Sequence, residues 1–238
     1  MPENMLEDLL RSGFQEMGLS LDETALRRYR IYYETLEEKN KVMNLTAISG
    51  EEDVARLHFL DCAALLTLED FRGKQVIDVG SGAGFPGLVL KIACPDMELT
   101  LLDSLDKRVK FLRELCQQLG FEDVNCVHMR AEEAPPEYRQ CFDFAVSRAV
   151  ARLNLLSELC LPFVKKGGAF IAMKGPGCAE ELQEARKAIA VLGGIPEKTA
   201  EYSVPGAALT HSALIVRKTA STPPKYPRRW AQIKKQPL

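Results

Sequence analysis

A glycine-rich loop is the part of this sequence whose residue types and spacing most directly suggest chemistry. An apolar run that ends in Asp78-Val79 leads into the loop, and Pro86 follows it. Glycine lets a backbone turn sharply and lets a ligand lie against its N–H groups, and proline is well tolerated in the first turn of a helix. The stretch therefore predicts a strand, a loop and a helix that bind a nucleotide. The alternating loop glycines are Gly80, Gly82 and Gly84.

Two cofactor classes fit this loop. Gly82-x-Gly84-x-x-Gly87 matches the dinucleotide fingerprint, and Asp103 follows at about the 20-residue spacing that the fingerprint expects. In contrast, Asp78 stands just ahead of the first glycine, and the pattern D-x-G-x-G-x-G resembles motif I of the S-adenosylmethionine (SAM)-dependent methyltransferases. That resemblance implies a loop that holds the methionyl group of SAM. We favour SAM over NAD, because the spacing further along the chain also agrees with it.

The rest of the chain predicts an α/β fold around this loop. Five predicted strands alternate with helices, and two late strands without a helix between them predict an antiparallel hairpin at the sheet edge. The pattern predicts a Rossmann-like, mostly parallel seven-stranded sheet of the class I methyltransferase type. The predicted strands are 75–79, 98–102, 124–128, 142–146, 169–173, 198–204 and 212–216.

Polar side chains follow the predicted parallel strands at or just past their carboxyl ends. Ligands of such sheets bind outside these ends, so we expect the side chains to share one site. They are Asp78, Asp103, Ala131-Glu132, Arg148 and Lys174.

Helices precede the first strand and predict a cap beside the nucleotide-binding domain. Residues 1–20 have apolar side chains at steps of three and four, and Ser20 with Glu23 forms a candidate capping box for a second helix that reaches about residue 40. A third helix begins near residue 50. We therefore divide the chain into an N-terminal helical segment (1–72), a SAM-binding domain (73–216) and a basic, proline-rich tail (217–238).

Composition excludes several classes of protein. No run of about 18 apolar residues occurs, and the N-terminus lacks the apolar stretch of a signal peptide. The seven cysteines are scattered and never form C-x-x-C, and the three histidines are dispersed, so we expect reduced thiols and no metal site. These features favour a cytoplasmic protein that is not associated with membranes.

Charge is distributed unevenly along the chain. The net charge is −2, but seven of the 31 basic residues lie in 217–238, which holds no acid. Residues 1–216 then hold 24 basic and 33 acidic residues, a net charge of −9. A basic tail on an acidic body suggests contact with a polyanion such as RNA, although a solvated tail that keeps the protein soluble is an equal alternative.

Short motifs in a fixed order resemble the RsmG family, formerly called GidB. The Gly loop with its Phe85-Pro86-Gly87 ending is joined by four others, and together they are far more specific than the loop alone. The resemblance covers roughly residues 20–216. The four others are Asn44-Leu45-Thr46-Ala47-Ile48, His58-Phe59-Leu60-Asp61, Arg130-Ala131-Glu132 and Ser147-Arg148-Ala149-Val150.

This resemblance implies a SAM-dependent methyltransferase that modifies N7 of a guanine in the decoding-region loop of 16S rRNA, yielding S-adenosylhomocysteine (SAH). It implies 16S rRNA or the small ribosomal subunit as partner, and we expect a monomer without a metal. The cofactor residues that it implies are Gly80, Phe85, Asp103, Ala131, Glu132 and Arg148, to which we add Asp78 and Gly82 from the loop.

Each of these residues has an expected role. Asp103 would accept both ribose hydroxyls, while Ala131 and Glu132 would border the adenine. Arg148 offers a planar fork for a carboxylate or an RNA phosphate. Two roles stay open: Asp78 could hold the SAM amine through water or anchor the loop backbone, and Phe85 could pack on the cofactor or on the sheet.

No catalytic residue is assigned from the sequence. Guanine N7 carries an unprotonated lone pair, so its methylation needs no general base. His58 and Asp61 lie one helical turn apart and could reach the site from the cap, or simply bond helix to helix. The alternatives are an NAD-linked oxidoreductase, a non-catalytic RNA-binding module, and a methyltransferase that acts on a small molecule or a protein.

Overall fold

The computed structural model describes residues 4–148, 151–175, 177–207 and 210–238. Its sheet has seven strands in the order β3-β2-β1-β4-β5-β7-β6. Strands β1 to β5 are parallel, while β7 runs antiparallel between β5 and β6. The predicted α/β fold and terminal hairpin are therefore confirmed. The strands are β1 Gln75–Val79, β2 Glu98–Asp103, β3 Asn125–His128, β4 Phe142–Arg148, β5 Val164–Lys174, β6 Gly194–Ser203 and β7 Thr210–Lys218.

Helices cover both faces of the sheet and form the N-terminal cap. The cap consists of the first four helices, and most of the others connect parallel strands, as buried parallel sheets require. The helices are α1 Met5–Glu16, α2 Glu23–Met43, α3 Glu51–Val54, α4 Asp61–Ala63, α5 Gly87–Ala93, α6 Asp106–Gln118, α7 Leu153–Cys160, α8 Cys178–Val191 and α9 Trp230–Lys235. Among the described residues, no helix combines the length and apolar character needed to cross a membrane.

The cap differs from its prediction in two details. The side chain that caps α2 is Asp22, which accepts a hydrogen bond from the Ala25 N–H (2.7 Å), rather than Ser20. The third helix is not uniform, because a π-helical turn, Ala55–Leu60, separates α3 from α4. π-Helical turns are rare in proteins, and those that do occur are often found at functional sites. This one carries His58.

The cap and the sheet share one hydrophobic core. Tyr29 and Tyr32 of α2 are fully buried, and their hydroxyls donate to the carbonyl oxygens of Val89 (2.9 Å) and Ala83 (2.7 Å). Ala83 belongs to the glycine-rich loop. The cap therefore contacts the loop through a buried hydrogen bond as well as through apolar packing, and it fixes the position of the loop backbone.

The C-terminal segment packs on the body, unlike the solvated tail that was one interpretation of its sequence. Arg217 and Lys218 belong to β7, and the buried Lys218 ammonium donates to the carbonyls of Leu161 (2.8 Å) and Leu192 (2.9 Å). Residues 219–238, which we call the C-terminal strap, bury Tyr226 and Ile233. Arg228 pairs with the buried Glu158 at 2.6 Å. Removing 217–238 would therefore expose core as well as remove charge.

Candidate functional site

Every second residue of the glycine-rich loop, from Gly80 to Gly84, lacks a side chain. Gly80, Gly82 and Gly84 all have positive φ angles (74°, 59° and 102°), which L-residues adopt at a cost. The N–H groups of Gly80 and Ser81 donate to the carbonyl oxygen of Leu102 (2.8 and 3.1 Å). The loop is thereby fixed to the end of β2, and the sequence that encodes it must be rich in glycine.

Asp78 lies beneath the loop and anchors it. Its carboxylate is fully buried, and Oδ2 accepts a hydrogen bond from the Gly87 N–H at the start of α5 (2.8 Å). Among the described residues Oδ1 has no hydrogen-bond partner. Burial raises the pKa of Asp78 well above its usual value, an effect that the Gly87 hydrogen bond only partly opposes. Of its two possible roles, this geometry favours the loop anchor.

Asp103 joins the loop to the end of β2. Its Oδ2 accepts from the Gly82 N–H (2.9 Å) and its Oδ1 from the Leu105 N–H (2.9 Å), while the Arg108 guanidinium lies 3.6 Å from Oδ2. A carboxylate oxygen can accept more than one hydrogen bond, so these contacts leave acceptor capacity for ligand hydroxyls. The side chain is therefore held rigidly at the end of β2.

A cavity of about 340 Å³, which we call the loop cavity, opens beside this loop. Five of the eight predicted cofactor residues line it. They are Gly80, Gly82, Phe85, Asp103 and Arg148. A sixth, Asp78, does not line the cavity but holds the backbone at the end of the loop through the Gly87 N–H. The remaining lining comes from neighbouring loop residues and from the cap, namely Leu45, Thr46, His58, Ser81, Ala83, Ser104 and Arg108.

Phe85 packs against side chains rather than on the sheet. Its ring stacks on His58 (centroids 4.3 Å apart) and on Tyr32 (5.3 Å), and the Arg148 guanidinium lies 4.6 Å from its centroid. Such stacks and cation–π contacts are worth about 0.5–2 kcal/mol each. Phe85 is therefore the residue through which the loop, the cap and β4 meet.

Arg148 and His58 form the wall at the end of β4. The Arg148 guanidinium donates to His58 Nδ1 (2.9 Å) and to the Leu57 carbonyl (3.2 Å). Because arginine can only donate, Nδ1 must be the acceptor, so the His58 proton is on Nε2 and points to Thr46 Oγ1 (2.8 Å). Burial and the adjacent Arg148 lower the pKa of His58 to about 3, which keeps this imidazole neutral.

Asp61 links that wall to the terminal hairpin. The carboxylate is buried, and its Oδ1 accepts from the Tyr202 hydroxyl (2.9 Å) and from His211 Nδ1 (2.7 Å). Its Oδ2 lies 3.4 Å from the Arg148 guanidinium. Four elements therefore converge on one carboxylate: the cap, β4, β6 and β7. His58 and Asp61 do reach the site from the cap, as one of their two interpretations proposed.

A second and larger cavity of about 630 Å³, the outer cavity, lies next to the loop cavity and shares His58 and Arg148 with it. The rest of its lining comes from the cap, the start of α7, β5, α8 and the hairpin, and it is rich in polar and charged groups. These include Asp61, Arg152, Lys174, Glu181, Tyr202 and His211. Two adjoining compartments with a common polar wall are an arrangement that suits two reactants.

Ala131 and Glu132 do not line the loop cavity. Both contribute to a separate groove of about 300 Å³, whose other wall is formed by residues of the strap, including Tyr226. Their contact with an adenine ring stays a prediction. Ala149 and Val150, which complete the Ser147-Arg148 motif, lie outside the described residues.

Sequence reasoning singled out Arg148 and Lys174 at strand ends and His58 and Asp61 in the cap, and all four line the outer cavity, but it missed the others. Tyr202, His211 and Glu181 carry no local motif, because each is brought to the site by pairing between distant strands or by helix packing. Tyr32 was not singled out from the sequence. Within the cap, the signal that the sequence offered was His58-Phe59-Leu60-Asp61, which combines polar groups with an otherwise apolar helix face.

Comparison with protein families gives a match over residues 25–208 to the family described as "GidB: rRNA small subunit methyltransferase G". The chain is also 48% identical to "Ribosomal RNA small subunit methyltransferase G" of Alkaliphilus metalliredigens, covering 97% of this chain and 98% of that protein. It is 43% identical to the protein of the same name from Clostridium perfringens, covering 97% and 98%.

Among solved structures, the fold resembles a SAM-dependent O-methyltransferase from Thermotoga maritima. The TM-score is 0.52 at 18% identity, and the match covers 78% of this chain and 71% of that one. At this identity the likeness concerns the fold alone.

Proposed function

This chain belongs to the rRNA small subunit methyltransferase G (GidB) family, and from that membership we propose that it methylates N7 of a guanine in the decoding-region loop of 16S rRNA with SAM as the donor. It is a SAM-dependent rRNA methyltransferase. The single structural observation that carries the proposal is the pair of adjoining cavities that share Arg148 and His58. The family match and the relatives named above are all methyltransferases, which gives no support to an NAD-linked oxidoreductase.

The loop cavity fits the donor. Its floor is glycine backbone with open space, since a Cβ placed on Gly82 would meet nothing closer than 3.9 Å. Asp103 supplies a carboxylate for ribose hydroxyls, and Arg148 supplies a cation suited to a carboxylate. Gly80, Gly82, Phe85, Asp103 and Arg148 would hold the cofactor, Asp78 would hold the loop, and Ala131 with Glu132 would border the adenine. SAM supplies an electrophilic methyl group on a good leaving group.

Because the donor is already activated, the task of the protein is alignment and exclusion of water. The wall between the cavities suits this task, since His58 is neutral and both of its ring nitrogens are already hydrogen-bonded. His58 therefore holds the wall and does not take a proton. Guanine N7 loses no proton when it is methylated, so a site without a free base is sufficient.

The partner that we propose is 16S rRNA or the assembled small subunit, bound by a monomer in the cytoplasm. Basic side chains at the outer cavity and exposed lysines of the strap would contact phosphates, while an unstacked guanine enters the outer cavity. Arg152 of the cavity is more than half exposed, and Lys225, Lys234 and Lys235 of the strap are exposed as well.

Mapping of N7-methylguanine in 16S RNA tests the proposal directly. RNA from cells with and without the gene would be compared, and purified protein would then be supplied with SAM and the unmethylated RNA. We expect one guanine in the decoding-region loop to lose its methyl group in the deleted strain and to regain it in vitro. An unchanged methylation map, with no incorporation by folded protein that binds SAH, would refute the proposed activity.

A further inference from the structure

The outer cavity contains a carboxylate oxygen that the fold does not use. Glu181, in the first turn of α8, lines this cavity. Its Oε2 accepts from the Lys174 ammonium and from the Leu153 N–H, both at 2.8 Å. In the part of the chain that the structure describes, Oε1 has no hydrogen-bond partner. One oxygen is thus fixed by the protein, while the other is available to a ligand.

The hydrogen bonds to Oε2 hold the Glu181 carboxylate in place and keep it ionised. Lys174 is only 9% exposed and also donates to the Ala151 carbonyl (2.7 Å), so the ammonium cannot readily turn away. Burial alone would raise the pKa of Glu181, but the Lys174 and Leu153 hydrogen bonds outweigh it and lower that pKa below its usual value. At neutral pH Glu181 is therefore a rigid, ionised group that can only accept hydrogen bonds.

The other carboxylate of this cavity has no such freedom. Asp61 is 3% exposed, and both of its oxygens face donors of the protein. Its contacts with Tyr202, His211 and Arg148 assign it to the wall. Glu181 is thus the acidic group best placed to contact whatever occupies the outer cavity.

The sheet order places Glu181 on the side of the outer cavity away from the donor. The glycine loop follows β1, Arg148 ends β4 next to it, and Lys174 ends β5 one strand further on. At about 4.8 Å per strand, the two steps from β1 to β5 span about 10 Å. A base that presents one edge to the loop cavity therefore presents its opposite edge towards Lys174 and Glu181.

Guanine carries hydrogen-bonding groups that fit both the side facing the loop cavity and the side formed by Lys174 and Glu181. Its N7 lies on the imidazole edge, while the opposite, Watson–Crick edge carries the N1–H and 2-amino donors. Adenine has no 2-amino group, and its N1 is an acceptor, which an ionised carboxylate would repel. Resting on the proposed function, we propose that Glu181 is a specificity-determining residue whose Oε1 accepts a hydrogen bond from the 2-amino group of the acceptor guanine.

Replacement of the target guanine by inosine isolates this contact, because inosine keeps N7, O6 and N1–H and lacks only the 2-amino group. For the wild-type enzyme we expect kcat/KM on 16S RNA with inosine at the methylated position to fall about 10- to 100-fold, the usual effect of a lost hydrogen bond to a charged acceptor. Equal rates on the guanine and inosine RNAs would overturn the proposal without any variant.

The Glu181→Gln variant tests the same contact by changing the protein instead of the RNA. Lys174 and Leu153 both donate, so they will select the amide oxygen and leave the amide NH₂ at the Oε1 position. A donor then faces the 2-amino group, and we expect guanine and inosine RNAs to react within about threefold of each other. If Glu181→Gln keeps the wild-type preference for guanine, the assignment of Glu181 is wrong.

Glu184→Gln is the matched control. Glu184 lies one turn along α8, is half exposed and pairs with Arg152, but it does not line the outer cavity. This variant should keep the wild-type inosine penalty, and SAH calorimetry on all three proteins reports their folding. Wild-type protein that binds SAH but methylates neither RNA would refute the proposed function itself, and the role of Glu181 with it.

Discussion

The two cavities are neighbours that the chain builds in opposite ways. The loop cavity is built around backbone from one short stretch, in which Gly80, Gly82 and Gly84 adopt positive φ. Hydrogen bonds hold this backbone in place, since Asp103 accepts from the Gly82 N–H and Asp78 from the Gly87 N–H. The outer cavity is formed by side chains from the cap, β4, β5, α8 and the terminal hairpin. The first depends on the absence of side chains, and the second on ion pairs between distant residues. Substitutions should therefore affect donor and acceptor binding separately.

The largest effect is expected for Gly84→Ala. A Cβ at this position would lie 2.6 Å from the Tyr32 hydroxyl and 2.7 Å from Leu88 Cδ1, at a φ of 102°. Overpacking and the unfavourable φ together should cost about 2–5 kcal/mol, concentrated in the loop. We expect the affinity for SAH, measured by calorimetry, to fall about 100-fold or more.

Gly50→Ala is its control, because Gly50 also has a positive φ (86°) but no atom lies within 4 Å of the position that an added Cβ would occupy. It should lose some stability and keep its SAH affinity. A Gly84→Ala protein that binds SAH within threefold of wild type would show that the loop cavity does not depend on bare backbone.

Asp61→Asn should affect the opposite compartment. The amide cannot serve all three donors that now converge on the carboxylate. Arg148 keeps its hydrogen bonds to His58 Nδ1 and the Leu57 carbonyl, so the disturbance should fall on Tyr202 and His211 of the outer cavity. At about 1–2 kcal/mol per disturbed hydrogen bond, we expect kcat/KM for 16S RNA to fall about 10- to 30-fold while SAH affinity changes less than threefold.

Tyr202→Phe removes one of those hydrogen bonds and leaves the carboxylate. Its effect on RNA methylation should be in the same direction and smaller, about three- to tenfold. A loss of SAH affinity equal to the loss of RNA methylation in either variant would contradict the division between the two cavities.

His58 lines both cavities, so its ionisation should reflect the wall that the two cavities share. Its pKa is about 3 in the folded protein, below the ordinary value near 6.5. Below pH 6.5 His58 becomes protonated in the unfolded chain but stays neutral in the folded protein. The free energy of unfolding should therefore fall as the pH drops. The slope contributed is at most about 1.4 kcal/mol per pH unit between pH 6.5 and 3.

Urea unfolding at several pH values measures this slope. His58→Asn should flatten it, whereas His128→Asn, at an exposed position, should leave it as in the wild type. If wild type and His58→Asn show the same dependence on pH, then His58 does not titrate as its burial requires.

The smallest effect is expected in the strap. The expectation that the whole basic tail binds RNA needs a finer test, since Arg228 is paired with the buried Glu158. Lys234 and Lys235 are exposed, and their joint replacement by alanine should weaken RNA binding about three- to tenfold at low salt and reduce the salt slope by up to about two.

SAH affinity should not change in that double variant. By contrast, Arg228→Ala should lower the free energy of unfolding by about 3 kcal/mol, because it leaves a buried carboxylate unpaired. Unchanged RNA affinity of the lysine variant at every salt concentration would assign the basic strap to stability alone.

The contrast between the cavities also explains what the sequence could predict. The loop, the positions of Asp78 and Asp103, and the alternation of strands and helices follow from contiguous patterns, because local backbone geometry demands particular residue types. The pairing of Asp61 with Tyr202 and His211 could not be predicted, since it joins residues about 150 positions apart through the register of the hairpin. The packing of the strap was not predicted, because basic residues dominate its sequence although Tyr226 and Ile233 are buried.

The hydrogen bond from Tyr32 to the Ala83 carbonyl has a practical consequence for engineering. A trimmed catalytic fragment that starts at residue 73 would lose that hydroxyl, together with the aromatic partners of Phe85. Chimeras that exchange the helical cap for a different domain would inherit the same defect. Fusion partners and purification tags belong ahead of Met5, where the first helix begins, and not at the seam suggested by the sequence pattern.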